Sequence, residues 1–272
     1  MTKPFIAIQI SSRDDADLRL TVDALHSVGA LRGRDYEFFG TIYFEDEITN
    51  LSAFPVDRLV IPIAGLKILR MWKEERLPPN WQMFWDAWDF DQMYGPKAPY
   101  LNAAAQFLPF AVVRGLRFDV PKFVKPSNDE KEFAGLVIEP GQTLDEALSK
   151  TMHSDIDPAR AIMIADIRRT SREYRVFVVR QRVVAFSQYR SAHRIEHRRV
   201  AAGDEAANLN AAAEDLIEAG LVPNVRAYAM DLTYVDGEWK VVEFNCFNCS
   251  GMYEADRAAI FSALFKAYDD ND

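Results

Sequence analysis

Cysteine is scarce in this chain of 272 residues: only Cys246 and Cys249 occur, too few for a disulfide framework. No run of 18 apolar residues exists, so nothing reads as a membrane span. The opening "MTKPFIAIQISSRDD" lacks the charged, apolar and small-residue regions of a secretory leader, and a cytoplasmic location is expected. No G-x-G-x-x-G follows the first apolar stretch, which argues against a dinucleotide site there. Internal repeats and low-complexity segments are missing too. Positive charge is in the minority, 32 lysines and arginines against 41 aspartates and glutamates, for a net charge of −9. That balance argues against a bulk grip on nucleic acid or on an anionic membrane. No convincing Ser-His-Asp or Cys-His arrangement offers a nucleophile.

What remains is an ordinary globular composition, 49% hydrophobic and 27% charged, long enough for one large domain or two. "PFIAIQI", "YEFFGTIYF" and "DRLVIPI" read as strands. They alternate with helical patterns over "SRDDADLRLTVDALHSVGA" and "AGLKILRMWKEERL", so residues 1–95 are expected to form an α/β domain with a mostly parallel sheet. The proline- and aromatic-rich "LPPNWQMFWDAWDFDQMYGPKAP" marks the boundary, with Trp81, Trp85 and Trp88 read as core packing rather than a base-stacking platform. Residues 96–272 are expected to be α+β. A helix is predicted over "YLNAAAQFL", strands over "FAVVR" and "KFVKP", a polar loop at "SNDEKEFAG" and a helix over "TLDEALSKTM". Strands "RAIMIAD", "EYRVFVV" and "RVVAFSQYR" follow, then a helix over "GDEAANLNAAAEDLIEAG". The hairpin "RAYAMDLTYV"–"EWKVVEFN" and an amphipathic helix over "YEADRAAIFSALFKAY" close the chain.

Polar residues interrupt two of these hairpins. In "EWKVVEFN", strand alternation puts Glu243 and Asn245 on one face about 7 Å apart. A three-residue turn at Val235-Asp236-Gly237, with the glycine left-handed, sets Asp231 opposite Val241 and on the face of Glu243 and Asn245. A two-residue turn sets it opposite Val242, facing away. Three oxygen donors, two of them anionic, suit a hard cation such as Mg²⁺; the alternative is that both acids are simply solvated. In "EYRVFVVRQRVVAFSQYR", Glu173 and Arg175 share a face. A two-residue turn at Arg180-Gln181 puts Arg175 opposite Phe186, with Arg190 on the same side. Arginines on an apolar hairpin call for anions, either phosphate or carboxylate of a ligand or local acids such as Glu173. Lys125 ends the apolar strand "KFVKP", within reach of a phosphate.

Taken in order, "FVKPSNDEKEFAG", "AIMIAD", "EYRVFVV…VVAFSQYR", Asp231 in "AMDL" and Glu-x-Asn in "EFN" resemble the ATP-grasp superfamily. Within it they are most similar to the clade named for two arginines and one lysine. The resemblance covers about residues 100 to 272, including the tail "SGMYEAD", and makes the first domain a pre-ATP-grasp domain by position. It implies an α+β ATP-grasp domain of two subdomains with antiparallel sheets, and ATP between them. The base would lie on the backbone of Met163, Ile164 and Ala165, with Met230 beneath it and Glu173 also in the nucleotide site. Lys125 would meet the α- and β-phosphates, while Lys131 and the loop through Gly135 would close over the triphosphate. Asp231, Glu243 and Asn245 would hold one or two Mg²⁺ ions, and Arg175, Arg190 and Lys125 would act in catalysis. The implied reaction is ATP-dependent carboxylate–amine ligation through an acyl phosphate. Its substrates are expected to be a small molecule or peptide, acidic in character, with no nucleic-acid or membrane partner. A phosphotransferase and a non-catalytic nucleotide-binding module are the alternatives.

Two departures stand out. The turn "RQ" lacks the usual glycine or asparagine, and no second phosphate-binding lysine is evident, Arg114 being the available substitute. "HRIEH" (193–197) matches H-x-x-E-H but lies in a basic, loop-like stretch, "RSAHRIEHRR", read as a solvated or substrate-facing loop where an acidic substrate could dock rather than as a zinc site. Cys246 and Cys249 are read as lining the end of the metal strand, and Ser250 and Tyr253 as donors near the substrate.

Overall fold

The structure, a computed structural model, describes residues 3–10, 15–42, 47–85, 99–128, 132–149, 156–192 and 194–269. In chain order the elements are β1 (Phe5–Gln9), α1 (Asp15–Ser27), β2 (Tyr36–Phe39), β3 (Thr41–Ile42), β4 (Glu47–Ile48), β5 (Val60–Ile63) and α2 (Leu66–Lys73). Next come β6 (Gln106–Pro109), α3 (Phe110–Val113), β7 (Lys122–Pro126), β8 (Leu136–Ile138), α4 (Leu144–Leu148) and β9 (Ala161–Asp166). The last are β10 (Arg172–Val179), β11 (Arg182–Ser191), β12 (Arg194–Arg199), α5 (Asp204–Glu218), β13 (Ala227–Val235), β14 (Glu238–Cys246) and α6 (Arg257–Asp269).

These elements form two compact units, one of Met1–Asp86, Arg172–Asp231 and Phe244–Asp272, the other of Ala87–Ser171 and Leu232–Glu243. The first stretch of the first unit ends at Asp86, and that unit takes up two later segments of the chain. Strand and helix alternate at the start of the chain and give a parallel sheet of order β2-β1-β5. Acidic Asp15 and Asp17 open α1 and His26 closes it, in line with the helix dipole. Because β1 sits between β2 and β5, the chain winds away from it in both directions, and the ends of β1 and β5 form a topological switch point. Trp81 packs in this unit's core against Phe39 and Phe54, as its reading as packing expects. Trp85 is partly buried with Lys73 over its ring; Trp88 lies outside the described residues.

The first unit also carries β10, β11 and β12, which run in the order β12-β11-β10, with the Ala227–Asp231 part of β13 beside β10, and α6 packs Ile260, Phe261 and Leu264 with Phe177 and Phe247 in one core. The second unit has an antiparallel sheet of order β6-β9-β7-β8 over a core of Phe110, Val113, Val124, Ile138, Leu144 and Ile162. Thr143 caps α4 through a capping box with Glu146.

Three expectations need correction. "YLNAAAQFL" is not a helix. Leu101–Ala104 are turns, because the backbone around Tyr100 is bonded to Val241, and the chain then enters β6. "FAVVR" is a helix, α3, not a strand: Pro109 sets the entry and Phe110 and Val113 face the core, a short apolar run that periodicity cannot assign. The basic stretch after Ser191 is a strand, β12, not a loop.

Asn248 ties the first unit together. Its amide nitrogen donates to the carbonyls of Pro62 (2.8 Å) and Gln82 (3.1 Å), and its Oδ1 accepts from the Phe84 N–H at 2.6 Å. Asn248→Ala leaves three buried backbone groups without partners, so a loss of about 3 kcal/mol is expected in a urea titration. A loss below about 0.5 kcal/mol would mean these groups are satisfied without Asn248.

Candidate active site

Arg175, on β10, is 6% exposed and Asp231, on β13, is fully buried. The guanidinium clasps the carboxylate with two bonds of 2.8 Å, Nε to Oδ1 and Nη2 to Oδ2. Asn245, on β14, adds its amide N–H to Asp231 Oδ2 at 3.2 Å. Burial works against the arginine's charge, but the charge and hydrogen bonds of Asp231 override it and raise the Arg175 pKa. Two tyrosine rings flank the guanidinium, Tyr189 and Tyr253, each with its centroid 5.3 Å from Cζ. They stack on each other at 5.7 Å, and His197 of β12 packs on Tyr253 at 4.3 Å. Tyr253 takes a left-handed backbone, φ 47°, which a bulky side chain adopts only where its surroundings hold it.

The register of β10 with β11 explains which side chains share this face. Arg180 and Gln181 make the expected two-residue turn, both left-handed without glycine or asparagine. The ladder then slips by one residue between Phe177 and Val178, so Arg175 opposes Ser187 and not Phe186. A second slip, between Glu173 and Tyr174, sets Arg190 opposite Glu173. Each slip reverses the parity, so the two cancel, and Arg190 returns to the face of Glu173 and Arg175. Glu173 is buried; it accepts from the Tyr189 hydroxyl at 2.6 Å and pairs with Arg190 at 3.7 Å. Local acids thus engage both arginines.

The β13–β14 turn is a correction. Asp236 (φ 54°) and Gly237 (φ 85°) are both left-handed in a two-residue connection between Val235 and Glu238. Asp-Gly is the favoured sequence for that turn. The three-residue form is not needed to unite Asp231 and Asn245, which meet all the same.

In the second unit, Lys125 Nζ donates to Glu243 Oε2 at 2.9 Å, both side chains being largely buried. Met163 and Ile164 have β6 on one side and β7 on the other, so their backbone is spent on two ladders; Ala165 is paired to β7 alone. Met163 and Met230 are fully buried. Gly135 lies against Phe123, where a Cβ would come within 2.5 Å of the ring. Arg114 ends α3 and pairs with Asp145 at 2.9 Å on the surface. Lys131 lies outside the described residues.

Asp231, Glu243 and Asn245 are hard oxygen donors of the kind Mg²⁺ takes, and the chemistry of the set fits that ion. Among the described residues no group of three or more His, Cys, Asp or Glu is placed to hold a metal, and "HRIEH" has no helix: His197 stands on a strand and packs on Tyr253. His193 is outside the described residues. Cys246 is buried at the end of β14 and Cys249 half-buried, and neither is in a disulfide; their thiols lie 3.6 Å from Asn248 Oδ1 and the Gly65 carbonyl, respectively. No helix among the described residues is long and apolar enough to cross a membrane.

A cavity of about 740 Å³ opens at the ends of β1 and β5, lined by Gln9, Asp17, Thr21, Gly65, Ser250 and Arg257 among others. The buried Arg257 is fixed there by Thr21 Oγ1 (2.7 Å) and the carbonyls of Asp17 (2.9 Å) and Tyr253 (2.8 Å). Ser250 donates its hydroxyl to the Cys246 carbonyl at 2.8 Å. Sequence reasoning missed Asn248 and Arg257, and it weighed His197 as a zinc-motif residue in a substrate-facing stretch without foreseeing its contact with Tyr253. Of the two missed, Arg257, a charge on the apolar side of a helical pattern, left a signal that could have been found.

The sequence matches a family model over residues 57–264, described as an ATP-grasp domain, family 3 of the clade named for two arginines and one lysine. No curated protein matches it. Among solved structures it is similar to a RimK domain protein ATP-grasp from Sphaerobacter thermophilus DSM 20745, at 14% identity over 95% of this chain and 99% of that one, TM-score 0.55. It is also similar to D-cycloserine synthetase DcsG, at 14% identity over 96% and 99%, TM-score 0.56. D-alanine–D-alanine ligase from Bacillus anthracis, complexed with ATP, aligns over 100% of both chains at 13% identity, TM-score 0.54. At such identities the likeness establishes the fold.

Proposed function

Because the chain belongs to this third family of the two-arginine, one-lysine clade of ATP-grasp domains, we propose that it is an ATP-dependent carboxylate–amine ligase working through an acyl phosphate. The observation that carries this reading is the buried Arg175–Asp231–Asn245 cluster, which joins an anion-binding group to two oxygen donors for a cation. Asp231 uses Nε and Nη2 of the fork, so among the described residues Nη1 keeps its N–H groups for another acceptor. A γ-phosphoryl group in transfer spreads charge over its oxygens, and a guanidinium already oriented by Asp231 and two tyrosine rings stabilises it without reorganising. Arg190 would serve the same group. Lys125 would hold the α- and β-phosphates once drawn from Glu243, and Lys131 would close over them.

Asp231, Glu243 and Asn245 would hold Mg²⁺, which neutralises phosphate charge when bound. The base would meet Ala165 and the chain beyond it rather than Met163 and Ile164, whose backbone is already paired; Met230 and Glu173 would bound the nucleotide site. The carboxylate substrate is assigned to the cavity beside Arg257 and Ser250, whose volume suits a small metabolite or a short peptide end.

Supplying Mg-ATP, a panel of carboxylates and hydroxylamine should yield ADP, free phosphate and a hydroxamate, the trapped acyl group. ADP with a phosphorylated product and no free phosphate would instead mean a phosphotransferase. Thermal stabilisation by ATP without ADP under any panel member would leave a binding module only.

A further inference from the structure

We infer that the outer edge of β12 is a docking strand for an extended acidic peptide. It adds to the ligase reading by naming a peptide as substrate. Among the described residues β12 is an outer strand of its sheet, with β11 on one side and no strand on the other. Its neighbourhood is basic in an acidic protein: residues 190–199 hold four arginines against the single acid Glu196, while the chain carries −9. Cross-strand pairing fixes which face each side chain takes. Ile195 opposes Arg190, which opposes Glu173, and Arg199 opposes Ser187, which opposes Arg175. Ile195, His197 and Arg199 therefore line the edge of the face that holds the Arg175 cluster.

Ile195 is 76% exposed and the Arg199 side chain 74%, its nearest acid being Asp256 at 3.9 Å. Arg190 is 45% exposed beside them. A peptide added to this edge would bond through its main chain, and its alternate side chains would fall beside Ile195, His197 and Arg199. Acidic residues in the peptide match Arg199 and the neighbouring Arg190, and an apolar residue between them packs on Ile195. Charges on an edge strand also keep it from pairing with its like. That argues against a second copy here, since β12 against β12 would set arginines against arginines, whereas an exposed isoleucine serves no guarding purpose. Extended along the edge, such a peptide lies on the strand ladder that leads to Arg190 and Arg175.

The test uses the full chain and a fluorescent eight-residue peptide of alternating glutamate and valine, followed by anisotropy. Its lysine–valine counterpart and an analogue N-methylated at alternate residues serve as controls. The acidic peptide should bind at least about tenfold more tightly than either control and weaken with salt. Arg199→Glu and Ile195→Glu should each weaken it at least about tenfold while ATP-induced thermal stabilisation stays unchanged. Equal binding of the N-methylated analogue overturns strand addition. Equal binding of the basic peptide, or no response to either variant, overturns the docking site. The readout is binding and not turnover, so either result leaves the ligase reading to its own experiment.

Discussion

Asp231→Ala should cost the protein about 3–5 kcal/mol, because it strands a guanidinium that is 6% exposed. The thermal midpoint should fall by about 10 °C in a chain of this size. Arg175→Ala should cost a similar amount by stranding a fully buried carboxylate, although that carboxylate can take up a proton and recover part of the loss. The double variant Arg175→Ala/Asp231→Ala removes both charges, and its cost should be well below the sum of the single losses. Chemical denaturation of the four proteins measures this. Strict additivity would mean that the clasp contributes no coupling energy. Buried ion pairs rarely stabilise a fold more than apolar residues of the same volume. Its retention here accords with a guanidinium held in place for anion chemistry, and the double variant should be folded yet inactive in the hydroxamate assay.

Glu243→Ala should lower ATP turnover by about 10²–10³-fold and raise the Mg²⁺ concentration needed for what remains. Lys125→Ala should raise KM for ATP more than it lowers kcat, because a contact to the α- and β-phosphates is made in the ground state and the transition state alike. The two residues bond at 2.9 Å. A purely structural pair would give matching stability losses and no such split between Mg²⁺ demand and KM. Steady-state kinetics across an Mg²⁺ titration decide it, and full activity in Glu243→Ala would falsify the metal assignment.

Much of the fold was legible because long patterns carry it. The alternating strands of β10 and β11, the parallel β1 and β5, and the periodic α5 and α6 stand where the sequence puts them. The register was not legible. Two one-residue slips in the β10–β11 ladder have no residue signature, since neither Val184 nor Tyr189 is a glycine or an unusual turn former. The first of them moves the partner of Arg175 from Phe186 to Ser187. The helix expected over "YLNAAAQFL" had good local propensity, but Val241 bonded its backbone first. β12 hid because an exposed edge strand need not be apolar, and "RIEHRR" looks like a loop. Of the site, Arg175, Asp231 and Asn245 were singled out as polar residues on apolar strands, but alternation across the two-residue Asp236-Gly237 turn sets Asp231 away from Asn245, which it nonetheless meets; the aromatic stack left no signal. Tyr253 comes from a turn and His197 from that hidden strand.

Asn248 has a consequence for how the protein comes into being. Its partners Pro62 and Gln82 are made 186 and 166 residues earlier, so the opening strands leave the ribosome long before the side chain that satisfies them. Loops of that span close slowly. During synthesis the first sheet must wait, incompletely packed, for almost the whole chain, and a nascent polypeptide halted before Asn248 should be protease-sensitive throughout its first eighty residues.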